Sequence, residues 1–211
     1  KWDFTKGFKR DMLIENRFLK YISFLISVIF VSYVIYLIFS SFFIVKNQFI
    51  DIGDATYVNQ VRTDDYTIKL ADFLTKDCKS DINCEVQSIL DFVTKIPYKI
   101  NESIARSSKQ VVEQNFGDCD DKSNLLISML KVRGYEAYFV LVPKHIFVIV
   151  NLENQANKKA LYVNDKKFYI LESTAKDSKI GFPLKHTLEE IEAIIDPFVN
   201  KKLLVKTLNY R

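Results

Sequence analysis

Residues 22–45 form 24 consecutive positions without a charged side chain, filled mostly by Ile, Phe, Val, Leu and Tyr. At about 1.5 Å per residue, one helix over residues 21–45 is long enough to span a bilayer core. A buried core helix rarely runs so far with every face apolar. A cleaved signal sequence has an apolar stretch of about 7–15 residues ahead of a small-residue cleavage site. Here the run leaves through Ser41-Phe-Phe-Ile-Val-Lys46, with no small-x-small site. The expectation is an uncleaved transmembrane anchor in contact with the bilayer. The chain opens on Lys1 rather than Met, so a few residues are expected to precede it.

The flanks set the expected orientation. Residues 1–20 carry six basic and three acidic side chains, and the remaining chain carries 24 and 23. Positive flanks stay in the cytoplasm, which predicts a cytoplasmic arm (1–20) and a periplasmic or extracellular C-terminal part. A nearly neutral main part excludes a nucleic-acid binder, which needs a concentrated basic face. The charges from Lys6 to Lys20 either touch anionic lipid or act only as a solvated topology signal.

Beyond the anchor, residues 46–66 read as a polar connector with turn signals at Gly53-Asp54 and Thr63-Asp64-Asp65, leaving 67–211 as the main domain. Residues 66–76 and 85–96 show helical spacing, the second stopped by Pro97. Residues 98–112 are mixed and polar. Residues 119–133 carry Leu125, Leu126, Met129 and Leu130 on one side, so this helix is expected to be buried. Three strand-like runs follow (137–142, 146–152 and 167–171), with Pro143-Lys144 as a tight turn and 153–166 as a polar hairpin loop. Thr187-Leu-Glu-Glu190 suggests a capping box leading a short helix to Ile195, and 203–210 a final edge strand. Helices followed by an antiparallel sheet make the predicted class α+β.

There are three cysteines. Cys78 and Cys84 bracket a polar loop between two helical segments, which suits a local disulfide in an oxidising compartment. No second Cys pair or His cluster accompanies them, which argues against zinc. Cys119 is left over, and an unpaired thiol in an exported domain calls for a chemical role.

Its surroundings supply one. Asn115-Phe-Gly-Asp-Cys119-Asp-Asp-Lys-Ser puts the thiol at a predicted helix start, where free amides lower a cysteine pKa. Gly117 would let the backbone turn sharply. Asp118, Asp120 and Asp121 work against a thiolate, although they suit a first helical turn, and at least one reads as a cap. His145, after that helix and one strand, opens the second strand and would have to supply most of the activation, as a thiolate-imidazolium pair. Glu172, at the end of the next strand, would hold the imidazole in the needed tautomer. Taken singly, His145 suits a core or edge residue and Glu172 a surface carboxylate; their order after Cys119 is what points to a triad. The Cys119 amide, and more weakly Gln114 five residues upstream, are candidate oxyanion donors. His186 has no such setting and reads as a surface residue.

Gly117-Asp-Cys-Asp-Asp-Lys-Ser-Asn-Leu-Leu, Arg133-Gly-Tyr-Glu-Ala-Tyr, His145-Ile-Phe-Val and the upstream Asp91-Phe-Val-Thr-Lys-Ile-Pro-Tyr98 together resemble the transglutaminase-like branch of the papain-like cysteine enzymes. The resemblance covers roughly residues 85–185. It implies a Cys-bearing helix packed on an antiparallel sheet, a Cys119-His145-Glu172 triad and a thioester intermediate. Peptide or protein would be the substrate, with no cofactor and no metal in the bacterial cysteine-protease-like members. The family more often places Asp where Glu172 stands, followed by a Thr that this chain keeps as Thr174. The placement of Gln114 is similar to that of the papain-like glutamine.

Three functions remain open. One is a membrane-anchored outward-facing peptidase or amidase. The second is an idle domain serving as scaffold or accessory subunit in a membrane assembly. In that case Tyr33, Tyr36, Ser23 and Ser27 would pack against partner helices. The third is a crosslinking transglutaminase, which needs an amine that outcompetes water.

Overall fold

The apolar run lies inside a much longer helix. The computed structural model describes residues 4–51, 56–101, 106–152 and 158–211, so the expected turn at Gly53-Asp54 lies outside the described residues. Two compact units are present, Lys1–Lys46 and Asn47–Arg211. The first is one helix, α1, Phe4–Gln48. Within it Arg17–Ile44, 28 residues, is long and apolar enough to cross a membrane. Ser27 and Ser41 return their hydroxyl protons to the carbonyls of Ser23 and Leu37, at 2.9 and 2.8 Å. Such back-bonding spares these hydroxyls the cost of facing hydrocarbon unpaired.

The second unit opens with a hairpin, β1 (Phe49–Asp51) and β2 (Thr56–Val58), within the stretch read from sequence as connector. Ile50, Tyr57 and Val61 are buried in the main core, so these residues belong to the domain. Alternation over three-residue strands is too short to stand out from a loop.

Four helices follow: α2 (Asp65–Thr75), α3 (Ile82–Lys95), α4 (Ser108–Gln114) and α5 (Cys119–Val132). Each starts on a side chain that accepts orphan amides: Asp64 from Thr67, Asp81 from Asn83 and Cys84, Ser107 from Gln110, Asp118 from Asp121. Helix α4 was not expected in the polar stretch 98–112. Ser107 and Gln110 form a capping box there, and Val111 anchors it in the core. A disulfide joins Cys78 to Cys84 across the α2–α3 turn.

The sheet is seven-stranded and antiparallel, formed by β3 (Ala137–Val142), β4 (His145–Val150), β5 (Leu161–Val163), β6 (Lys166–Leu171), β7 (Ala193–Asp196), β8 (Lys201–Lys202) and β9 (Leu208–Tyr210), in the order β8-β7-β3-β4-β6-β5-β9. The domain is therefore α+β. Two expectations are corrected here. The 153–166 stretch holds β5, so β6 folds back between β4 and β5 rather than ending a simple meander. The segment from Thr187 makes only a 3-10 turn, Leu188–Glu190, and then the strand β7. Ile195 pairs with Phe139 and Ile194 with Val140, and β-branched neighbours on two faces favour that pairing over a helix. Of the predicted last strand, only Leu208–Tyr210 is extended in the sheet, beside β5.

Both faces of the sheet are covered. Phe139, Leu141, Ile146, Val148, Val150, Tyr169 and Leu171 meet α5 and α3 on one side. Val140, Val142, Phe147, Ile149, Phe168 and Ile170 meet the C-terminal segments on the other. Burial on both faces explains why β3 and β4 read as unbroken apolar runs. Helix α5 supplies Leu125, Leu126, Ile127, Met129 and Leu130, all fully buried.

Candidate active site

The first residue of α5 is Cys119, half-buried and unpaired. Gly117 is small for a steric reason. A Cβ there would lie 3.0 Å from Asp121 Cβ, 3.3 Å from Lys122 Cγ and 3.4 Å from Val111 Cγ1. Its dihedral is ordinary, so close approach, rather than the sharp turn expected from sequence, is what the glycine permits. Its amide donates to Pro97 O and its carbonyl accepts from Lys99, each at 3.1 Å, which ties the loop after α3 to the start of α5.

The thiol points to its neighbour: Sγ donates to Asp120 Oδ1 at 3.6 Å. Burial first, then the charges of Asp120 and Asp118, push its pKa up to about 12, while the Ile146 amide facing the sulfur works the other way. The opposition expected from the aspartates is thus present, with burial added to it. Two carboxylates and desolvation outweigh the amides, and the resting thiol is neutral. Asp120 is itself raised, by burial and then Asp118.

The amide of Ile146 brings Cys119 beside the start of β4, where His145 stands. His145 Nε2 lies 2.9 Å from Glu172 Oε2. Nδ1 is then the ring nitrogen left to take a proton. Glu172 follows β6 directly, and its Oε1 accepts from the Thr174 amide at 3.0 Å and the Thr174 hydroxyl at 2.6 Å. Burial pushes this carboxyl up, but the bonds from His145 and Thr174 prevail and hold it below the usual glutamate range. One more methylene than Asp has thus been accommodated, with Thr174 bracing the longer arm.

Two serines that sequence reasoning passed over link the three chain ends. Ser123, one turn after Cys119, approaches the Ile146 carbonyl at 3.4 Å and shares a 3.1 Å hydroxyl contact with Ser173, the residue after Glu172. Both are fully buried. The signal was available: a small polar residue at i+4 from the thiol, one turn along the same helix. Arg106 was also missed. It clasps the buried Asp121 through its amide (2.6 Å), Nε (3.1 Å) and Nη2 (2.6 Å), donates to Phe116 O, and stacks 4.1 Å over the Phe116 ring. Gln114 ends α4 on the surface with its carbonyl oxygen bonded to Arg106, so its amide NH2 is the end left to donate.

His186 is corrected from the surface reading. Its ring stacks on His145, with centroids 6.3 Å apart and planes at 23°, and its Nδ1 is 3.6 Å from Glu190 Oε2. The chain returns to the site because the Gly181 and Phe182 amides both donate to Ile170 O. Phe147 and Ile170 from the sheet, with Phe182, Leu184, Lys185 and His186 from this segment, line a cleft of about 280 Å³ that also touches His145 and Glu172. A second cavity beyond Thr174 is lined by Ile96, Tyr98, Lys122 and Lys176. Lys122 is fully buried there and donates to Ile96 O at 2.8 Å. Burial pulls its pKa down, opposed by the charge of Glu172. Among the described residues, no group of three His, Cys, Asp or Glu side chains is arranged to hold a metal.

No family model matches the sequence, and no curated protein matches it. Solved structures are similar at low identity. A protein from Cytophaga hutchinsonii assigned as a cysteine protease has 12% identity and a TM-score of 0.43, over 72% of this chain and 52% of that one. Legionella pneumophila LapG has 11% and 0.40, over 57% and 78%. A protein from Parabacteroides distasonis assigned as a protease has 14% and 0.41, over 66% and 27%. This chain thus spans about half the length of the Cytophaga structure.

Proposed function

We propose that the chain is a membrane-anchored cysteine peptidase or amidase of the transglutaminase-like kind, with its N-terminus in the cytoplasm and its domain outside. One observation carries this reading: the His145-Glu172 bond of 2.9 Å at a strand start whose next amide faces the Cys119 sulfur. Because the thiol is neutral at rest, His145 acts as base during attack rather than beforehand. The thiol proton passes to Nδ1 as Sγ bonds to the scissile carbonyl carbon. The C–N bond breaks, the imidazolium gives that proton to the leaving amine, and a thioester remains. Water, deprotonated by His145, attacks; the C–S bond breaks and the sulfur regains a proton. The Cys119 amide and Gln114 NH2 are the proposed oxyanion donors.

The high thiol pKa favours a second reading, an idle domain that serves as scaffold or accessory subunit through its membrane helix. Incubating the full chain in detergent micelles with a peptide library separates the two. The hydrolase reading expects new amines that vanish in Cys119→Ser with an unchanged melting temperature. No release from any peptide, with a stoichiometric membrane partner recovered, supports the scaffold.

A further inference from the structure

We propose that the cleft beside His145 is the subsite for the leaving side of the substrate, and that it takes a residue with a large apolar side chain carrying a carboxylate just beyond. This deepens the hydrolase reading and rests on it. The side follows from proton transfer. The imidazole that takes the thiol proton must hand it to the leaving nitrogen, so that nitrogen sits within hydrogen-bond reach of the ring. The chain beyond the nitrogen then continues away from Cys119, over His145. The cleft lies there: its wall includes His145, Glu172 and Thr174.

The ligand class follows from the lining. Phe147 and Ile170, each 2% exposed, make an apolar floor on the sheet. Phe182 and Leu184 make the opposite wall, and the backbone holds them in place. The Phe182 amide donates to Ile170 O at 3.1 Å, and the Leu184 amide donates to the Tyr210 hydroxyl at 3.1 Å. Such a fixed apolar slot gains from a Leu- or Phe-sized group and nothing from glycine. The rim carries a cation. Lys185 Nζ stands 5.1 Å over the Phe182 ring, and His186 faces the cleft beside it. The acidic groups nearby are already engaged, Glu172 by His145 and Thr174, and Glu190 by the Thr187 amide at 2.8 Å and by His186 Nδ1 at 3.6 Å. A carboxylate one residue beyond the apolar side chain therefore meets Lys185.

The test exploits the histidine count: the chain has two, and both line this cleft. In the full-length Cys119→Ser chain in nanodiscs, imidazole nitrogen resonances are followed while phenylalanyl-glycine, its amide and glycyl-glycine are added. Phenylalanyl-glycine is expected to shift both rings and to bind at least tenfold tighter than glycyl-glycine. Its several-fold advantage over the amide is expected to disappear in Lys185→Ala. Equal binding of the three, or shifts in neither ring, overturns the assignment. With the intact thiol and an activated ester, phenylalanyl-glycine is expected to divert the acyl-enzyme from water to amide product more than glycyl-glycine does. Binding in the expected order with no acylation of Cys119 overturns the hydrolase reading and leaves the ligand class standing. Acylation with no ranked binding overturns the ligand class alone.

Discussion

The Cys119 thiol donates to the carboxylate of the next residue, Asp120, at 3.6 Å, and so is held in its neutral form. Burial and the charges of Asp120 and Asp118 add to this contact in setting the resting state of the site. A carboxylate that accepts the thiol proton and faces the sulfur stabilises S–H over S⁻.

Asp120→Asn removes that charge and acceptor. The wild-type thiol, with a pKa pushed up to about 12, is expected to alkylate slowly at pH 8, its rate climbing only far above neutrality. A lower pKa raises the thiolate fraction at any fixed pH. The variant is therefore expected to label about tenfold faster at pH 8. Iodoacetamide labelling followed by mass across pH 6–10 reads this, and equal rates would acquit Asp120.

Glu172→Gln replaces the carboxylate that holds His145 Nε2 at 2.9 Å. Turnover is expected to fall by roughly 10²–10⁴, the range for a misoriented general base. The stability effect has a defined sign. The Glu172 pKa is depressed on folding, so its contribution is full above the ordinary value of 4.5 and is lost as pH falls through the lower folded value. The melting-temperature gap between wild type and variant should narrow below pH 4.5; a gap that widens there contradicts a stabilising Glu172 carboxylate.

The motif residues were legible because their chemistry is local in sequence. Asp118 caps the helix that Cys119 starts, and a two-residue Pro143-Lys144 turn, with Lys144 at φ 60°, sets His145 at its strand start. The remainder depends on distant pairing. Strand β5 has three residues, and it exists because Leu161 pairs with Phe168 on one side and Tyr210 on the other. His186 reached the site only through the return of the chain at Gly181, where φ is +77°. The thiol pKa depended on burial, which a one-dimensional reading of three aspartates does not weigh.

Gly117→Ala is expected to destabilise the domain by about 1–3 kcal/mol, since a methyl would press on Asp121, Lys122 and Val111 at 3.0–3.4 Å. Thermal melting measures the loss. Labelling of Cys119 should change as well, because the same contacts seat the helix start.

Glu85 lies beneath the helices, bonded to Arg133 at 3.1 and 2.8 Å and to the Tyr135 hydroxyl at 2.8 Å. Glu85→Ala takes the acceptor from the Tyr135 hydroxyl and leaves Arg133 only its 3.0 Å bond to Asp72, and it is expected to cost about 2 kcal/mol, roughly 4–8 °C of melting temperature for a domain this size. Cys119 labelling should be unaffected, separating scaffold from site.

Mass spectrometry of the full chain after brief exposure to an activated ester tests the central claim most directly. The account predicts an acyl adduct on Cys119 that forms and then decays in wild type, and that is at least a hundredfold slower to form in His145→Ala. An adduct that forms equally fast without His145, or none on Cys119 while the protein remains folded, would contradict it.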